Sequence, residues 1–115
     1  MLYDRKKDLN EDGKIFLKAA GYIQEHGWCR GVLERDGRVC MAGALRKALD
    51  LPMMYVSPFV TKKKEQNYHR LMEKLELGIA DGSGVGTWND RDDRTMEQVI
   101  EKLESVAYKE TINVI

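Results

Sequence analysis

An α+β fold, mostly α-helical, with about four helices and a small antiparallel β-hairpin, is predicted by three features of this chain. Apolar residues recur at helical spacing in four separate stretches, and Asp36-Gly37 sits between two short β-prone runs. The segment Trp88-Asn89-Asp90, followed by Arg94-Thr95, marks where a Gly-rich stretch enters the last helix and anchors the architecture there. At 115 residues the chain fits one compact domain, 1–115, because a second core would be too small. Its 43% hydrophobic and 33% charged residues are those of a globular protein, and a chain this long buries roughly 60 to 70% of its unfolded surface.

The first helix is predicted from Glu11 to His26, where Phe16, Ala19, Ala20 and Ile23 keep the period, Asn10 or Asp8 can cap, and Gly27 stops it. Val32 and Leu33 before Arg35-Asp36-Gly37-Arg38, and Val39 and Cys40 after it, read as two short strands around a type I′ turn. In that register Cys40 faces Leu33 and Cys29 lies opposite Ala44, so a bridge between the cysteines would need a different local geometry. Ala42, Leu45, Ala48 and Leu49 make the stripe of a second helix that ends at Asp50-Leu51-Pro52, since a residue before proline avoids helical geometry. Pro52 to Val60 reads as an apolar, extended strand or loop; a further short strand is placed near Met54 or Ile112. The third helix runs from about Lys62 to Leu77, with Tyr68, Leu71, Met72 and Leu75 on one face and Gly78 as its end. Asp81 to Gly86 reads as a flexible connection. The last helix carries Met96, Val99, Ile100, Leu103, Val106 and Ala107 in phase, and Thr95-x-x-Gln98 matches a capping box. There is no internal repeat.

Charge and composition narrow the function classes. Nineteen basic and nineteen acidic residues cancel, so no whole-molecule field draws the protein to nucleic acid or an anionic membrane. The first residues contain no apolar run of the signal-peptide kind, and no stretch reaches the ~18 apolar residues of a membrane span. A cytoplasmic location is therefore expected. Two cysteines, Cys29 and Cys40, are too few for a disulfide framework and are read as free thiols.

Cys40 is the sharpest candidate for chemistry, because it stands just before the second helix, where free amides and the helix dipole stabilise a thiolate. His26 or His69 would serve as its base, with Asn89 or Asp90 to orient the imidazole, as in thiol hydrolases. The competing reading buries Cys40 as a small core side chain, makes His26 a favourable C-terminal charge on its helix, and puts His69 on a solvated face four residues from Glu65 and Glu73. No ligand spacing points to a metal, and no motif points to a cofactor. The carboxylates of Asp90, Asp92 and Asp93 are better explained as helix-entry caps than as a cation site. Gly82-x-Gly84-x-Gly86 lacks the strand before and helix after that a phosphate loop needs. Lys62, Lys63 and Lys64 form the one basic patch, which a nucleotide or nucleic acid would meet with its phosphates, although Glu65 and Glu73 dilute it.

Cys40-x-x-Gly43-Ala44-Leu45-Arg46-x-Ala48, preceded by His26-Gly27-Trp28 and followed by Trp88-Asn89-Asp90 and Arg94-Thr95-x-x-x-Val99, resembles an uncharacterised family of small bacterial and phage proteins. The specific parts are the blocks 27–48 and 88–99. The resemblance implies no catalytic roles, but it implies a phage or mobile-element origin and shifts the expectation from enzyme toward interaction protein. The leading expectation is a small cytoplasmic protein that docks on a protein or small ligand through the segment from Met53 to Phe59, with Tyr55 and Phe59, and through the Trp88 region, with no membrane and with nucleic acid disfavoured as a partner. The alternatives are a thiol-dependent hydrolase or transferase with Cys40 as nucleophile, and a nucleotide or nucleic-acid binder through Lys62 to Lys64. A free hairpin edge would also permit a homodimer by strand pairing.

Overall fold

A computed structural model describes residues 9–53 and 58–110, with the backbone alone at 58–61. Within them the chain is a mostly helical α+β domain of five helices and one hairpin: α1 (Glu11–His26), β1 (Glu34–Arg35), β2 (Arg38–Val39), α2 (Met41–Ala48), α3 (Pro58–Leu77), α4 (Val85–Asn89) and α5 (Met96–Lys109).

The long helices follow their sequence signals. Asn10 caps α1 by accepting from the Gly13 N–H at 2.9 Å, and Thr95 and Gln98 close the capping box of α5. The hairpin has the expected turn. Asp36 and Gly37 both adopt positive φ, 52° and 81°, which is what a two-residue type I′ turn demands, and the register pairs Glu34 with Val39 and Arg35 with Arg38. Its free edge is two residues long, charged and exposed, a shape that discourages strand pairing with a second copy.

Two elements differ from expectation. Helix α3 begins at Pro58, so Pro58 and Phe59 are helical, not extended; proline suits the first helical position, where its missing N–H costs nothing. The stretch read as a linker up to Gly86 gives way at Val85 to the short helix α4, whose Val85 and Trp88 enter the core. Five residues are too few to show a helical period. The proposed strands near Met54 and Ile112 lie outside the described residues.

The core forms where α1 packs against α5 and α2. Phe16, Ile23, Leu45, Leu71, Leu75 and Leu103 are fully enclosed; each such side chain contributes roughly 1.5–3 kcal/mol of transfer free energy. Ala19 and Ala20 of α1 let the helices approach closely. A buried ion pair adds specificity. Arg46 of α2, 7% exposed, donates to both carboxylate oxygens of Glu65 of α3, at 2.7 and 3.1 Å, and its Nε donates to the Pro52 carbonyl at 2.8 Å. Its guanidinium lies 4.8 Å from the Tyr68 ring centroid. With every charged atom paired, the α2–α3 junction is fixed in one register.

A second charged network clamps the ends of three helices. Asp12 of α1 accepts from Lys74 at 2.7 Å and from Arg70, both on α3, and Lys74 also pairs with Glu110 at 2.9 Å. The Arg70 hydrogen bonds, then those of Lys74, outweigh partial burial and hold the Asp12 carboxyl at about 2, against an ordinary 3.8. A depressed carboxylate pKa stabilises the folded state above the unfolded value and loses that contribution as pH falls through the folded one. Stability is therefore expected to drop by about 2 kcal/mol between pH ~4 and pH ~2 from this group. Urea denaturation across that range should show the drop in the wild type and a flatter profile in Asp12→Asn.

Candidate functional site

The two sequence blocks around Gly27 to Ala48 and Trp88 to Val99 meet in space. Asn89, 1% exposed at the end of α4, joins them. Its Oδ1 accepts from the Trp28 indole N–H at 2.7 Å and from the Met41 N–H, at the start of α2, at 3.1 Å. Its Nδ2 donates to the Cys29 carbonyl at 3.2 Å and to Asp90 Oδ1 at 2.9 Å. Two donors on one side and two acceptors on the other fix the amide's orientation and use nearly all of its capacity. Asp90 Oδ1 also accepts from the Gly31 N–H at 3.0 Å.

Arginines extend this knot. Arg30, stacked 4.8 Å from the Trp28 ring, donates to the backbone carbonyls of Asp92 and Arg94. Arg94 donates through Nε to the Trp88 carbonyl at 2.9 Å and lies 3.7 Å from the Trp88 ring centroid, with Lys102 at 5.7 Å. Trp88 is thus a core ring, 8% exposed, with cations near its face. Asp90 serves the loop at Gly31, while the cap of α5 is Thr95; among the three carboxylates read as helix-entry caps, that is a change of partner for Asp90.

Cys40 is the N-cap of α2. Its Sγ accepts from the Gly43 N–H at 3.3 Å, as a thiol at a helix start should. Burial nevertheless raises its pKa above the ordinary thiol value, outweighing the amide hydrogen bonds of Gly43 and Ala42. Cys29 is also raised, again by burial first. The histidines stand elsewhere: His26 packs on Tyr22 with centroids 4.2 Å apart, and His69 tilts against Tyr68 at 5.5 Å. Cys40 Sγ meets the Gly43 amide, while the ring contacts of His26 and His69 are with Tyr22 and Tyr68. Asn89 is taken up by the four hydrogen bonds of the knot.

Lys62, Lys63 and Lys64 are exposed near the start of α3, and Lys64 pairs with Asp50 at 3.7 Å. Tyr55 lies outside the described residues, and Phe59 is described by its backbone in α3. Among the described residues no cluster of three His, Cys, Asp or Glu side chains is gathered, and no helix is long and apolar enough to cross a membrane.

Two shallow clefts flank the knot. One, of about 230 Å³, is walled by Gly31, Val32, Leu33, Cys40, Ala42, Gly86 and Asp90. The other, of about 240 Å³, runs over Trp88 between Arg94, Gln98, Glu101, Lys102 and Ser105. Both fall below the roughly 300–1,000 Å³ of sites that enclose a drug-sized ligand.

The fold and site define a small helical α+β domain whose sequence blocks are spent on joining α2, α4 and the loop after α1. The chain belongs to the family of unknown function DUF6197, whose model matches residues 9–109. This agrees with the uncharacterised family that the blocks resemble. No curated protein and no solved structure matches the chain.

Proposed function

We propose that this is a binding protein, acting through contact with a protein partner and not through turnover. The observation that carries the reading is that the residues able to do chemistry are committed to structure: Asn89 to four hydrogen bonds and Cys40 to a helix cap with a raised pKa. The surface that offers contact is the open cleft over Trp88, where Arg94 and Lys102 face Glu101, Gln98 and Ser105. Its size favours a few side chains of a partner over an enclosed small molecule. The same reading places the protein in a reducing cytoplasm, where free thiols persist, and fits an origin in a phage or mobile element.

Two measurements test it. The alkylation rate of Cys40 against pH, with Cys29→Ser as background and the denatured chain as reference, is expected to give an apparent pKa above the ordinary ~8.5 of a free thiol. A plateau well below that value would overturn the binding reading in favour of a thiol enzyme. A photo-crosslinker at Ser105 is expected to capture a discrete partner that the same group at exposed Gln24 of α1 does not; equal capture at both positions counts against the Trp88 face.

A further inference from the structure

The loop after α1 brings the two cysteines together in a way the hairpin register alone does not. Gly31, with φ of +81°, turns the chain back, so the segment leaving α1 lies along one edge of β2 and β1 takes the other. Trp28 pairs with Val39 in parallel. Val39 N–H donates to the Gly27 carbonyl and Cys29 N–H to the Val39 carbonyl, both at 3.1 Å. One residue beyond that pair, on each segment, stand Cys29 and Cys40. Lateral neighbours in a regular parallel pair lie about 4.8 Å apart and project from the same face; here the Asn89 amide, set between the Cys29 carbonyl and the Met41 N–H, marks where the two segments begin to part, and closing a disulfide draws them within its ~4.4–6.8 Å Cα span. Cys29 is therefore beside Cys40, not opposite Ala44.

The two thiols have unequal surroundings. The single S–H of Cys29 is shared between the carbonyls of Val32 and Arg38, 3.6 and 3.5 Å from Sγ, which holds its proton. Cys40 Sγ accepts an amide hydrogen bond, and Cys40, 7% exposed, is among the residues that line the 230 Å³ cleft.

We propose that Cys29 and Cys40 form a thiol–disulfide exchange pair, in which Cys40 accepts an incoming small disulfide and Cys29 closes the intramolecular bond. The Cys40 thiolate attacks a disulfide RSSR, forms the mixed disulfide Cys40–S–S–R and releases RS⁻. The Cys29 thiolate then attacks the Cys40 sulfur and expels the second RS⁻. The protons of both thiols end on the two RSH products, so the protein loses two electrons and two protons while RSSR gains them. The amide at Cys40 Sγ stabilises negative charge on that sulfur both as attacker and when the bond is reopened. Because burial disfavours the thiolate, the exchange is slow at neutral pH and accelerates as pH rises. The exchange is stoichiometric and not turnover, but it requires the buried Cys40 to leave its cap on Gly43, so it qualifies the commitment of Cys40 to structure on which the binding reading draws.

The test uses the folded wild-type chain with oxidised glutathione at pH ~8.5, quenched with acid and read by intact mass and peptide mapping. The expected product is a monomer about 2 Da lighter with Cys29 linked to Cys40. In Cys29→Ser, checked for native circular dichroism, a single glutathione adduct at Cys40 should accumulate instead. Persistent glutathione adducts on the wild type with no lighter species would overturn the proposal. So would oxidation seen in the urea-unfolded chain and absent from the folded one.

Discussion

Gly43→Ala is expected to destabilise the protein by at least about 3 kcal/mol, lowering Tm by roughly 10 °C or more. A Cβ at position 43 would sit 2.1 Å from the Leu33 carbonyl oxygen and 3.0 Å from its carbon. Backbone, unlike the tip of a side chain, cannot swing aside. The Leu33 carbonyl is moreover held in place, because it accepts the Cys40 N–H at 3.2 Å. Retreat of the hairpin would break that bond, and retreat of α2 would loosen the Gly43 N–H from Cys40 Sγ. Gly21 supplies the contrasting case. It lies exposed within α1 with nothing within 4 Å of its would-be Cβ, so Gly21→Ala should raise stability by about 0.5–1 kcal/mol through helix propensity. Thermal and urea unfolding of the two variants should thus move in opposite directions. A loss below about 1 kcal/mol for Gly43→Ala would mean that the hairpin is not pinned on α2.

This contact gives the Cys40-x-x-Gly43 block a physical meaning that spacing alone did not provide. Position 40 needs a side chain that accepts from the amide three residues on, and position 43 needs no side chain at all. The block is therefore a docking device for the hairpin. A helix-start cysteine looks alike whether its amide bond tunes reactivity or caps the helix; burial, which decides between them, is a tertiary property.

Local signals made most of the fold legible. The caps Asn10 and Thr95, the Asp36-Gly37 turn and the stripes of α1, α2 and α5 act within a few residues, and each element stands where those signals place it. The hidden features couple distant positions. Arg46 reads as a polar residue of α2, and nothing near it in sequence announces Glu65, nineteen positions on. Arg30 likewise finds its carbonyl partners at Asp92 and Arg94. The parallel pairing of Trp28 with Val39 has no sequence signature because a single bridge shows no alternation. Trp88 is legible as an architectural anchor, but its partners Arg94 and Lys102 and the role of Asn89 beside it are not.

Asn89→Ala should cost about 3–5 kcal/mol, although the substitution removes only three polar or carbon side-chain atoms from a residue outside any catalytic arrangement. The buried Met41 N–H and Cys29 carbonyl would lose their partner, and the Trp28 indole N–H would lose a 2.7 Å bond. Each orphaned buried group costs roughly 1–3 kcal/mol, because water cannot replace the amide without opening the core. The carboxylate isostere separates shape from bonding. Asn89→Asp keeps the volume and an acceptor for Trp28 and Met41, but it has no donor for the Cys29 carbonyl and sets a negative charge against Asp90. It should therefore also destabilise, and the loss should shrink when low pH protonates the carboxyl and restores a donor. The local readout is amide hydrogen exchange. Met41 N–H should lose protection in Asn89→Ala while amides in the middle of α5 fall only with global stability. Selective exposure of that amide would identify Asn89 as the tie between α2, α4 and the loop after α1. A uniform small change across the chain, with stability within about 1 kcal/mol of wild type, would mean that the blocks are joined by packing alone.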